Sequence, residues 1–162
     1  TPWSAIVIQS EKAGGSFSLV HLTVDDEVGQ NYLMYVQYDT PEVPLHITID
    51  NCIFSSRGEN APIFIGKAST VDWRNNIFFF PCSDIVIQYE EKIYGAQDIH
   101  RLGWSNLYAQ PFFVDIKKQN YKLLPTSPAI DRARVIKQIT NDRENVLRPQ
   151  GKSPDCGAYE VR

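Results

Sequence analysis

The sequence predicts an all-β chain folded as a stack of coils, a β-solenoid. Three observations predict it. Similar heptapeptides recur: residues 20–26 read VHLTVDD, residues 45–51 LHITIDN and residues 69–75 STVDWRN, at offsets of 25 and 24. Short alternating apolar runs lie between them, at residues 4–10 (SAIVIQS), 32–38 (YLMYVQY), 62–68 (PIFIGKA) and 84–90 (DIVIQYE). No stretch before Tyr121 carries apolar residues at the i, i+3, i+4, i+7 spacing of an amphipathic helix. A repeat of this length cannot bury its apolar face alone, so its coils must stack on one another. Leucine-rich repeats share the period, but the leucines and asparagine they need at fixed offsets are absent.

The alternation assigns faces. In LHITIDN, Leu45, Ile47 and Ile49 point one way and His46, Thr48 and Asp50 the other. The apolar set belongs inside, and Trp73, in phase with Ile49 and Val24, joins it. Asn51 and Asn75 follow in the apolar phase, with Asp26 at the equivalent place in the first copy. An asparagine there either points inward and bonds to the neighbouring coil or simply forms the turn. Turn residues separate the strands: Gly14-Gly15, Asp39-Thr40-Pro41, Gly58-Glu59-Asn60 and Pro81. Residues 90–104 carry mixed charge and read as a loop or short helix. The final segment, rich in Pro, Asp and Arg, reads as irregular structure wrapping the last coil. Its Asp131, Asp142, Asp155 and Glu160 are expected to bond to loop amides and to Arg132, Arg143 or Arg148. The domain reading is coils over residues 1–107, then a last coil and capping segment over 108–162.

The chain has 162 residues and a net charge of -3, with 43% hydrophobic and 22% charged residues. That size suits one domain, and the charge argues against a nucleic-acid partner, which needs a concentrated basic surface. No apolar run is long enough for a membrane-spanning helix. Three cysteines (Cys52, Cys82, Cys156) are an odd count without the spacing of a zinc site, and read as buried free thiols. The chain starts at Thr1 and Met34 is its only methionine, so the expectation is a mature chain or, the favoured reading, a C-terminal piece of a longer protein.

Aligning the heptapeptides stacks their outward residues in columns about 4.8 Å apart. The columns are His21, His46, Thr70; then Thr23, Thr48, Asp72; then Asp25, Asp50, Arg74. This is the densest chemistry the sequence offers. A solvent-facing strand surface is also polar for no further reason. Of the tryptophans Trp3, Trp73 and Trp104, the last falls after the final clear strand and is the candidate exposed platform.

The closing segment adds a resemblance. Tyr121-Lys122-Leu123, Ser127-Pro128-Ala129-Ile130-Asp131, Arg148-Pro149 and Asp155-Cys156-Gly157-Ala158-Tyr159-Glu160 resemble the end of right-handed parallel β-helix proteins of the pectate-lyase-like kind. The resemblance implies a right-handed parallel β-helix of about four coils with an irregular C-terminal cap. It implies the C-terminal portion of a secreted or surface-attached bacterial polysaccharide-active protein, from a family of lyases, hydrolases and epimerases, with this portion binding or structural. Alternatives are an intact uronate-polysaccharide lyase, and a non-catalytic glycan-binding or adhesive module. In the lyase reading His46, Asp50, Asp72 and Arg74 are catalytic. His46 acts as the base and Arg74 pairs with a sugar carboxylate. Asp25 and Asp50 hold calcium as a cofactor. His21, Thr48 and Trp104 bind substrate. Expected partners are a polysaccharide or glycan, and either upstream coils or a second copy at the N-terminal end.

Overall fold

The computed structural model describes residues 4–10, 14–27, 31–38, 43–59, 62–67 and 69–162. Trp3, the turn at residues 39–41 and Asn60 lie outside the described residues. The chain forms a parallel β-solenoid of about three turns. The first coil comprises β1 (Ile6–Ser10), β2 (Gly15–Val20) and β3 (Thr23–Asp26). The second comprises β4 (Met34–Tyr38), β5 (Leu45–Asp50) and β6 (Ile53–Ser56). The third comprises β7 (Ile63–Ile65), β8 (Ser69–Arg74) and β9 (Ile77–Phe79). A partial fourth supplies β10 (Ile87–Tyr89), β11 (Lys92–Tyr94) and β12 (Leu107–Tyr108). Stacking gives three sheets: β1-β4-β7-β10-β11, β2-β5-β8 and β3-β6-β9-β12. Within these three sheets, among the described residues, all pairings between coils are parallel, and only β11 turns back antiparallel on β10.

The four alternating runs read from the sequence contain β1, β4, β7 and β10, and they stack as one sheet. The heptapeptides align only in part. Leu45 lies opposite Ser69 and His46 opposite Thr70, as expected, but β5 meets residues 15–20, with Ser16 opposite His46 and Val20 opposite Asp50. The true offset between the first two coils is therefore 30, not 25. His21 lies at a corner, in the left-handed conformation (φ 51°) that Asn51 (φ 59°) and Asn75 (φ 53°) adopt at the same place in their coils. Short polar side chains tolerate that conformation best.

Asn51 and Asn75 do not point inward. The internal ladder is one residue later, at Cys52, Asn76 and Asn106. Asn76 Oδ1 accepts the Cys52 N–H at 2.9 Å, and its amide nitrogen donates to Ile49 O at 2.8 Å and to Asn106 Oδ1 at 3.0 Å. Asn106 in turn donates to Trp73 O at 3.1 Å. Replacing Asn76 with Ala strands the Cys52 N–H and Ile49 carbonyl away from water. We expect a loss of about 2 kcal/mol in urea unfolding; an unchanged midpoint would mean the ladder contributes nothing.

The core fills the solenoid with Met34, Val36, Ile47, Ile49, Phe54, Ile63, Ile65, Trp73, Phe78 and Ile87. Phe54 and Phe78 stack at 5.6 Å between ring centroids. The two ends of this core differ. At the C-terminal end β11 and a 3-10 helix, Ala96–Leu102, fold over it, with Ile99 buried. Residues 90–104, without a role in the sequence reading, thus form a closing element. At the N-terminal end the inward side chains of the first coil, Ile6, Ile8, Phe17, Leu19, Leu22 and Val24, pack against the core but are only partly buried.

The final segment is irregular apart from a hairpin of β13 (Phe113–Asp115) and β14 (Asn120–Leu123) and a one-turn 3-10 helix, Ile116–Lys118. It reaches much farther than the last coil. Ile53 and Ile77 point outward from the third sheet, and Phe113, Leu123, Ala129, Ala133 and Cys156 cover them in a second small core. Two tail stretches then run along the corner column. Asn75 Nδ2 donates to Arg132 O at 3.0 Å, and Asn51 exchanges two bonds with the Arg134 backbone, at 2.9 and 3.0 Å. Gly157 N donates to Asn51 O at 2.7 Å and Ala158 N to Thr23 Oγ1 at 3.0 Å. Gly157 has φ +87°, and a Cβ there would stand 2.6 Å from Thr23 Oγ1, so no other residue fits the DCGAYE turn.

The tail carboxylates bond as the sequence suggests. Asp142 accepts from the backbone of Glu144, Val146 and Glu160, Asp155 from Asp131 and Val161, and Asp131 from Ser153. All three thiols are free; Cys52 and Cys156 are buried, but Cys82 is exposed. Burial pushes the Cys52 thiol up to about 12, so it stays protonated and unreactive.

Candidate functional site

The outer face of the second sheet keeps part of the expected patch. His46 Nδ1 lies 2.6 Å from Thr70 Oγ1, and Asp72 pairs with Arg74 at 2.9 Å, all four side chains outward and exposed. Thr48 stands between His46 and Asp50 on β5, opposite Asp72.

The other expected members are elsewhere. Asp50 has the outward phase, but the tail covers it completely, and its carboxylate is taken by Arg134. Asp25 belongs to the third sheet, opposite Ser55, where Ser55 and Arg57 hold it; its side chain is 1% exposed. The two aspartates thus stand in different sheets, each with its own cation, and do not form a shared calcium cradle. Among the described residues no group of three or more His, Cys, Asp or Glu side chains is arranged to hold a metal. His21 is buried at the corner and bonds to Asn51 at 3.0 Å, away from His46. Thr23 lies in β3 and accepts a bond from the tail.

Among the described residues the face therefore offers one exposed carboxylate of the expected patch, Asp72, and it is paired with Arg74. Glycoside hydrolysis needs two carboxyl groups facing each other across the bond to be cleaved. Trp73 is core, as its phase predicts, and Trp104 is 91% exposed beyond the closing helix.

A second face was not singled out in the sequence. On the first sheet the outward column runs Val7, Tyr35, Phe64, Gln88, Ile93, each opposite the next. Tyr35 and Phe64 stack at 5.1 Å with planes 17° apart, and Tyr32 joins them at 5.2 and 5.4 Å. Beside this column Gln9 bonds to Gln37, whose Oε1 also accepts the Tyr35 hydroxyl at 3.0 Å. No charged residue occupies these positions. The face is a flat platform of ring surface edged by amides, with Val7 and Ile93 exposed at its two ends. Aligning YLMYVQY with PIFIGKA on their alternation places Tyr35 against Phe64, so the signal lay in the sequence.

Comparison with protein-family models, with curated proteins and with solved structures found no match for this chain. No helix among the described residues is long and apolar enough to cross a membrane.

Proposed function

We propose that this chain is the C-terminal portion of a secreted or surface-attached polysaccharide-active β-helix protein of the pectate-lyase-like kind, and that its part is to hold the polymer. The observation that carries this reading is the uncharged platform of Tyr32, Tyr35 and Phe64 with Gln9 and Gln37 beside it. Sugar rings pair an apolar face with equatorial hydroxyls. A ring platform edged by amides meets both, and its neutrality favours a neutral polymer over a uronate one. The resemblance of the closing segment supports the wider family, and the partial burial of the first coil's inward side chains supports a helix that continues.

The test joins affinity electrophoresis in neutral and acidic polysaccharides to a depolymerisation assay, run with calcium and with a chelator. Retardation by a neutral polymer, without product, is expected. Tyr35→Ala and Phe64→Ala should each weaken binding about fivefold, since one ring is worth about 1 kcal/mol. Chelator-sensitive unsaturated uronate that disappears in Asp72→Ala and Arg74→Ala would instead make the second sheet's face a lyase site.

A further inference from the structure

We propose that the open end of the first coil is seated against one further coil of the same three-stranded form, running in the same direction ahead of β1. This rests on the reading that the helix continues, and not on the polysaccharide.

Three strand edges meet at this end, and their bonding pattern states what fits. In a parallel pair, alternate residues direct both N–H and C=O to one side. Ile6 N donates to Leu33 O, Gly15 N to Pro44 O, and Leu22 O accepts from Ile53 N, all toward the second coil. The backbone groups of Val7, Ser16, Ser18, Val20, Thr23 and Asp25 therefore face the other way, where no strand lies among the described residues. The corner repeats the point. Asp50 O accepts the His21 N–H at 3.1 Å and Arg74 O accepts the Asn51 N–H at 3.0 Å. Val20 is in register with Asp50 and Arg74, so its carbonyl is the acceptor for the corner residue of a preceding coil. Beneath these edges lie the half-buried Phe17, Leu19 and Val24, apolar surface that a coil's inward side chains would cover.

A second copy fits less well. At its C-terminal end β11 turns back on β10, the 3-10 helix folds over the core, and the β8 carbonyls of Ser69 and Trp73 are taken by Tyr89 and Asn106, so head-to-tail stacking would meet a covered end. Head-to-head pairing reverses the order of the sheets around the core. The corner between second and third sheets has two residues, His21 and Leu22, and the other connections are longer, so a reversed copy can align one sheet only. A coil in the same direction aligns all three.

The test is amide hydrogen exchange on two proteins: the chain as it stands, and the chain with its own second coil, residues 31–60, placed directly ahead of residue 4. As it stands, exchange should alternate along β2 and β3. Phe17, Leu19 and Val24 should be protected, and Ser16, Ser18, Val20 and Thr23 fast. With the added coil the fast set should slow by about a hundredfold. Three results would overturn the proposal: no alternation in a monomeric chain, protection of the fast set in a dimer of the unmodified chain, or a folded added coil that leaves that set fast. The alternation is read on the unmodified protein, so it decides even if the added coil does not fold. No sugar enters either readout, so failure of glycan binding leaves it untouched.

Discussion

Arg148→Met should cost about 3–5 kcal/mol, the range for breaking a buried ion pair from one side. Arg148 and Glu160 are each 1% exposed and meet at 3.0 Å. The same guanidinium donates to Asp155 O and to Gly157 O, both at 2.8 Å. Glu160 in turn accepts the Gln150 and Asp155 N–H groups at 2.9 and 3.0 Å. These bonds shape the turn through which Gly157 and Ala158 dock on the second and first coils. Burial pushes the Glu160 carboxyl up, against the pull of the Asp155 and Gln150 N–H groups and of Arg148, and a buried ion pair is weak as a source of stability. The pair's role is to fix the turn. Thermal unfolding should show a loss of roughly 10 °C for Arg148→Met. Arg148→Met combined with Glu160→Gln should recover part of it, because no carboxylate is then left unpaired. A single variant within about 2 °C of the parent would show that the tail docks without this pair.

What the sequence disclosed, and what it hid, follows from how a solenoid is built. Inward and outward phase along a strand is a local property, so β5 and β8 and their faces were legible from Ile47, Ile49 and Trp73. The register between coils depends on connections of unequal length, which alternation does not record. Leu22 and Val24 mimic the spacing of Ile47 and Ile49, although a corner at His21 separates them from β2. That resemblance shifted the first coil by five residues and drew His21, Thr23 and Asp25 into a patch they do not share. Asp50 shows a second limit. Its phase is outward, and only the tail, more than eighty residues later, buries it through Arg134. The tail motif was legible as a motif, and Gly157 explains its glycine. That it runs along the corner column from Ser105 to Thr23 depends on contacts that no local pattern carries.

The corner at His21 also makes the fold sensitive to acid. Asn51's amide is oriented by its two bonds to Arg134, so its N–H₂ faces His21 Nε2 at 3.0 Å. That nitrogen must accept, which requires a neutral imidazole. Burial first, and then the positive charge of Arg148, lower the histidine's pKa from 6.5 to about 4, while the carbonyls of Asp155 and Gly157 pull the other way. A depressed histidine pKa means that the unfolded chain binds the proton more tightly. The stabilising effect of the neutral ring is complete above pH 6.5 and is lost as pH falls toward 4, by about 3 kcal/mol in total. The raised carboxyls of Asp155 and Glu160 act with the opposite sign, so the histidine is isolated by comparison with a variant. His21→Asn is the natural choice, because asparagine holds the same left-handed corner in the next two coils. At pH 7 the variant should match the parent to within about 1 kcal/mol. Between pH 6.5 and pH 4 the parent should lose about 3 kcal/mol more than the variant. Parallel stability curves over that range would show that the imidazole is free to charge in the folded state, and that the corner between the coils and the tail is open to water.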